Sequence, residues 1–301
     1  MRKLKILVSA FYSLITVHPG HAAVVPAKKA PVHHGGLSIK VVGEGWGNAE
    51  TSDIETLLQS TADQLWVYFP QRELPAIVVV HGDESPKVLF EKGKHGEYLV
   101  QLTARDRHWS QYAYQFSHEF CHILANYDHR KLSSGAIDSQ DQWFEEALCE
   151  TAALFTLQHM AASWESAAPY PDWRDYAPAL KSYAVSLHSE SHRRLPFATT
   201  LAAWFQGHHD ALTHTAYGRD NNEVVANRLL PLLEAHPEHW EAIGYLNAEG
   251  FPEARNFDQC LYNWYHAAPE KHKIFIRQVT EMFGLPQDRV LLTTTAQHTP
   301  L

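Results

Sequence analysis

The sequence predicts an α+β fold: a small α/β N-terminal half, two long helices, and an all-helical C-terminal half. Three observations carry that expectation. Short apolar runs of strand length occupy residues 37–42, 75–80, 87–90 and 97–104 and do not recur later. Apolar residues at helical spacing fill 108–128 and 142–160. From about residue 173 only helical patterns remain, punctuated by Pro196, Pro231, Pro237, Pro252 and Pro269.

Taken in order, residues 1–22 read as a signal peptide. Arg2, Lys3 and Lys5 form a basic start, residues 6–17 a mostly apolar run, and Gly20 and Ala22 the small residues before a cut. The run is too short to span a bilayer, and no cysteine near the cut suggests a lipid anchor. Residues 23–36, with Pro26, Pro31, Gly35 and Gly36, read as a flexible leader. Residues 37–160 form the α/β half with its two long helices. Within it, 49–68 is an earlier helix carrying Ile54, Leu57, Leu58, Ala62, Leu65 and Trp66. Residues 161–290 form the helical half, with segments at 177–187, 199–205, 223–234, 238–248 and 269–283. Residues 291–301 are a polar, frayed tail.

The chain has 301 residues, 45% of them apolar and 20% charged, an ordinary globular composition. Its net charge is −9, and loss of the three N-terminal basic residues leaves 22 basic against 34 acidic, or −12. Such a chain has no general attraction for nucleic acid or anionic membrane. No later stretch is long and apolar enough for a membrane span. The expected product is exported, periplasmic or extracellular, without stable membrane insertion. The 21 histidines favour metal binding and also make chance histidine motifs more frequent.

Residues 118–122 read His-Glu-Phe-Cys-His, an H-E-x-x-H pattern. On a helix, i and i+4 differ by about 40°, so His118 and His122 share a face and can grip one zinc ion. Glu119 lies about 100° round, within reach of a metal-bound water. Phe116, Phe120, Ile123 and Tyr127 form an apolar stripe opposite His118. That pattern predicts an amphipathic helix turning its histidines toward a cleft.

Residues 143–152 read Trp-Phe-Glu-Glu-Ala-Leu-Cys-Glu-Thr-Ala, with Phe144, Leu148, Thr151 and Phe155 on the core side. A zinc with two histidines needs a third protein ligand and an open position, and Glu146 can be that ligand. A ligating histidine also needs a partner for its other ring nitrogen, which Glu150, one turn on, can supply to His118.

His118-Glu119-x-x-His122 followed by Trp143-Phe144-Glu145-Glu146-Ala147-Leu148-x-Glu150 resembles the gluzincin class of metallopeptidases. There a downstream helix bears a Glu ligand, a small residue after it, and a second acid four positions on. The resemblance covers about residues 97–155. It implies a zincin-like α/β catalytic half and one Zn²⁺ per chain. It also implies a peptide or protein substrate, with 97–104 as the sheet-edge strand that pairs with it. Two features of the class are missing. No Gly-x-Met-Glu-Asn segment precedes the motif, and the oxyanion-stabilising residue is unassigned among Tyr217, His214, Tyr262, Tyr265 and His266.

Three cysteines remain, Cys121, Cys149 and Cys260, so they cannot all pair within one chain. Cys121 and Cys149 flank the ligand positions and could bridge the two helices, stay as small buried thiols, or replace a histidine as ligand. The doublets His33-His34 and His208-His209 lack helical ligand spacing. Adjacent Glu145 and Glu146 point different ways on one helix and make a poor glycosidase pair.

The expected chemistry is hydrolysis by a metal-activated water with Glu119 as general base. The alternatives are a zinc-binding, non-cleaving exported protein of the same fold, a hydrolase of a non-peptide amide, and a protein whose His and Glu pairs are surface features. Oligomeric state, cleavage specificity and the role of the helical half are not legible.

Overall fold

A computed structural model describes residues 36–130, 141–215, 217–251 and 256–287. Residues 1–22, read above as a signal peptide, residues 23–35 with His33-His34, and the tail lie outside the described residues. The architecture is the expected α+β arrangement, with one small sheet in the N-terminal half and helices after it.

The sheet comprises β1 (Ile39–Val42), β2 (Ile77–His81), β3 (Lys87–Val88) and β4 (Tyr98–Leu102), in the order β1-β2-β4-β3. β1, β2 and β4 are parallel, with Ile39 opposite Ile77 and Ile77 opposite Tyr98. β3 is antiparallel to β4, pairing Val88 with Val100. Alternation along β4 buries Tyr98, Val100 and Leu102. Helix α1 (Thr51–Trp66) connects β1 to β2, as a parallel pair requires. It buries Ile54, Leu57, Leu58, Ala62 and Leu65 completely, and each large aliphatic side chain contributes about 1.5–3 kcal/mol.

The topology corrects the expectation for residues 97–104. β4 is an interior strand, covered by β2 on one side and β3 on the other. The Lys87–Val88 pairing takes the hydrogen-bonding edge that β4 was expected to offer. At the opposite side of the sheet, Glu55 Oε1 accepts the β1 Val41 N–H at 2.9 Å. One edge is therefore two residues long and the other is met by a carboxylate, both of which discourage strand addition.

Helices α2 (Trp109–Leu124) and α3 (Gln142–Ala167) follow. Between them lies a 3-10 turn, Tyr127–Arg130. Among the described residues the further α-helices are α4 (Ala177–Ser189), α5 (Leu201–His214), α6 (Arg219–Ala235), the short α7 (Trp240–Ile243), α8 (Phe257–Ala267) and α9 (Glu270–Met282). Pro231 does not punctuate: it lies inside α6, which runs on to Ala235. Among the described residues, no helix is long and apolar enough to cross a membrane.

The chain divides into two compact units that do not follow the expected boundary at 160. One unit takes the residues up to Ile123 together with Cys149–Glu190, and the other takes Leu124–Leu148 and the residues from Ser191 onward. The first holds the sheet, α1, nearly all of α2, most of α3, and α4. Its core includes an aromatic chain in which the Trp109 ring lies 5.7 Å from Tyr112 and 5.4 Å from Trp173, with Trp46 5.9 Å from Tyr112. The second unit is helical. Its core gathers Trp143, Phe144, Phe205, Phe257 and Phe283, with Trp143 and Phe257 4.7 Å apart and Phe205 and Phe283 5.0 Å apart. Large rings in such offset and edge contacts bury much apolar area and add stability beyond it.

Two local devices aim α2. Gln115, 3% exposed, accepts the N–H groups of Thr103 (3.0 Å) and Ala104 (3.1 Å) on Oε1 and donates from Nε2 to Thr103 Oγ1 at 3.0 Å. That clamp ties the residues just after β4 to the helix. Asp106 accepts the Asn48 N–H at 2.9 Å, and Gly47, at φ +68°, is needed because a Cβ there would strike the Asp106 carboxylate.

Replacing Gln115 with Leu strands two buried backbone donors and should cost about 2 kcal/mol or more. A lower urea midpoint at unchanged m-value would register that loss.

Candidate metal centre

α2 supplies His118, Glu119 and His122, and α3 supplies Glu146 and Glu150. The i, i+4 spacing sets the two imidazoles side by side, with ring centroids 5.1 Å apart. One donor atom each from His118, His122 and Glu146 lies within 4.8 Å of the others. All three side chains are buried, as is Glu119 at 0% exposure. The amphipathic expectation for α2 is corrected here. The helix is buried nearly all round, with its histidines 7% and 2% exposed.

Glu150 lies one turn beyond Glu146 and is 4% exposed. Its Oε2 is 3.8 Å from His118 Nδ1 and accepts a 2.6 Å hydrogen bond from the Tyr114 hydroxyl. Tyr114 in turn packs edge-on against Tyr183 of α4, with centroids 6.1 Å apart. The sequence reading missed Tyr114, although the signal was present. Tyr114, His118 and His122 form one i, i+4, i+8 stripe, and a stripe of that spacing stays on one face of a helix.

Glu145 and Glu146 have different roles. Within the second unit, Arg130 donates to Glu145 Oε2 at 3.0 Å and to Asp141 Oδ1 at 2.9 Å. Asn247 adds 2.8 Å to Glu145 Oε2 and donates to the Ala125 carbonyl at 2.9 Å. Asn126, with φ +56°, reaches the Gly244 and Leu246 carbonyls at 2.9 and 2.8 Å. These bonds pin the first turn of α3, and Glu145 is consumed in them. Its commitment to a buried arginine removes the glycosidase pairing of Glu145 with Glu146.

Of the alternatives for Cys121 and Cys149, the structure has the buried thiols and no bridge; Cys260 is a buried thiol too. Cys121 follows His118 by three positions and Cys149 follows Glu146 by three. Each therefore lies on the flank of the face that carries His118 or Glu146, where a small thiol packs like an apolar residue. Burial pushes the Cys260 thiol well above its usual range, reinforced by the charge and hydrogen bond of Asp141 and opposed by Arg130. That thiol stays protonated and unreactive.

The oxyanion role stays unassigned among its candidates. His214 Nδ1 sits 2.7 Å from the Asp210 carbonyl at the end of α5. Tyr262, Tyr265 and His266 pack on one another on α8, with Tyr262 and His266 4.3 Å apart. Tyr217 lies in the turn before α6. In the doublet His208-His209, His208 Nδ1 is 2.8 Å from the Trp204 carbonyl.

No protein-family model matches this chain, and no curated protein matches it in sequence.

Two outcomes follow from this geometry. Arg130→Met leaves Asp141 and Glu145 buried without their cation and should cost about 3–5 kcal/mol in denaturant unfolding. All three cysteines should react with a thiol reagent in denaturant without prior reduction; fewer would mean a bridge exists.

Proposed function

We propose that this protein is an exported zinc-dependent hydrolase acting on peptide bonds, with His118, His122 and Glu146 as ligands and Glu119 as general base. The observation that supports it is the convergence of three donor atoms within 4.8 Å from an H-E-x-x-H helix and a second helix. Two imidazoles and one carboxylate are the donor set of catalytic zinc sites, which keep a fourth position open. When bound, zinc would polarise the scissile carbonyl and lower the pKa of a water toward about 7.

Glu119 accepts the proton released as water attacks and returns it to the leaving amine. Glu150 Oε2 stands 3.8 Å from His118 Nδ1, where its charge favours an Nδ1–H tautomer that would free Nε2 for a metal. Tyr114 fixes the Glu150 carboxylate by its 2.6 Å hydrogen bond. The substrate is a peptide or protein segment, and no part of the reading requires nucleic acid or a membrane.

One observation favours a second reading, a zinc-binding protein that does not cleave. His118, Glu119, His122 and Glu146 are each 7% exposed or less, a depth of burial that restricts the approach of a substrate. The intact Glu119 weighs the other way, because a purely structural site has no use for a base.

The deciding experiment measures tightly held zinc after dialysis, with cleavage of a mixed peptide pool on the same samples. Wild type and Glu119→Gln should each hold about one zinc per chain, with cleavage in wild type alone. His118→Ala and His122→Ala should lose both metal and activity. Glu150→Ala should weaken zinc binding or rate by about 10–100-fold. Undiminished turnover in Glu119→Gln overturns the mechanism, and zinc without cleavage in wild type selects the second reading.

A further inference from the structure

Beyond α6 the chain turns through a 3-10 segment, Pro237–His239, in which the His239 N–H donates to the His236 carbonyl at 3.0 Å. A 3-10 turn has about three residues per turn, so positions i and i+3 eclipse. His236-Pro237-Glu238-His239 therefore brings its two imidazoles to one side, with ring centroids 5.7 Å apart. Glu238 Oε1 is 3.2 Å from His236 Nδ1. One donor atom from each of His236, Glu238 and His239 lies within 4.8 Å of the others. All three belong to the second unit.

The His239 ring is held in place. Phe275 stacks on it at 4.8 Å and 14°, and His272 meets it edge-on at 5.9 Å and 73°. His272 is 2% exposed and its Nε2 is 3.3 Å from Glu241 Oε2. The Nδ1 atom of His239 is buried without a hydrogen-bond partner among the described residues, an uncommon condition for a buried ring nitrogen. A ring fixed on two sides loses little freedom when it takes a ligand.

We propose that His236, Glu238 and His239 form a second metal site in this chain, for a first-row divalent transition ion such as zinc. Two imidazole nitrogens and one carboxylate oxygen suit zinc, copper or nickel; calcium and magnesium take oxygen donors. The His236 and Glu238 side chains are 57% and 65% exposed, so the ion enters from solvent and water completes its shell. Binding is correspondingly weaker and exchanges faster than at a buried triad. The other His/Glu grouping, around the buried Glu223, does not compete as a candidate. Its carboxylate is ion-paired by Arg193 at 2.7 Å and by Arg219. The proposal stands independently of the hydrolase reading.

The test is a zinc titration of chelator-stripped full-length protein, followed by calorimetry. H236N/H239N should take up one equivalent less than wild type. His122→Ala should retain a weak equivalent that the H122A/H236N/H239N variant lacks. Equal uptake with and without the two Asn substitutions, in both backgrounds, overturns the site. Because His239 packs on Phe275, Glu238→Gln provides a variant without a packing change. Weaker uptake of the low-affinity equivalent supports the site, and unchanged affinity overturns it. A His122→Ala protein that binds zinc like wild type counts against the buried triad and leaves the H236N/H239N comparison to be read by itself.

Discussion

Removing a carboxylate from water carries an effective penalty of several kcal/mol unless charge and hydrogen bonds offset it. α2 and α3 bury Glu119, Glu146 and Glu150 at 5% exposure or less, beside two imidazoles. α3 also carries Glu145, buried one residue before Glu146. The rest of the structure answers that constraint. Asp141 and Glu145 share the guanidinium of Arg130, and Glu150 receives the Tyr114 hydroxyl. In the proposed function a divalent cation would add counter-charge beside Glu146.

Each site helix is anchored at its first turn by aromatic packing inside one unit. Trp109 and Tyr112 open α2 among Trp46 and Trp173. Trp143 and Phe144 open α3 among Phe257 and Phe283. The chemistry-bearing residues come two or three turns later on α2 and one turn later on α3. Rigid first turns make the later side chains precise in position, as a site with tight geometric demands requires.

The strands were legible to within a residue or two at most ends, because period-two burial along β4 and the apolar run of β2 are local signals. The side-by-side placement of His118 and His122 was legible for a similar reason: i, i+4 spacing on a helix is itself geometry. Tyr114 was equally readable from that spacing and was passed over. What sequence could not reveal is long-range. The Arg130–Asp141–Glu145–Asn247 network joins residues over a hundred positions apart in the chain. The loss of β4 as an edge depends on where two residues of β3 pair. Amphipathic patterning misled for α2 because polar His118, Glu119 and His122 read as a wet face, whereas they are buried. Pattern also carried 238–248 as one helix, where only Trp240–Ile243 is α-helical, and missed α8.

The order in which the chain visits its two units has a bearing on synthesis. It leaves the first unit after Ile123, returns at Cys149 and departs again at Ser191. Neither unit is a contiguous stretch, so no single cut releases one intact. A nascent chain must extend past Glu190 before every part of the first unit exists. By then Leu124–Leu148 has emerged without its later companions, exposing Trp143 and Phe144. Apolar surface exposed during that interval favours aggregation, a hazard that domains folding one after another from the ribosome meet less.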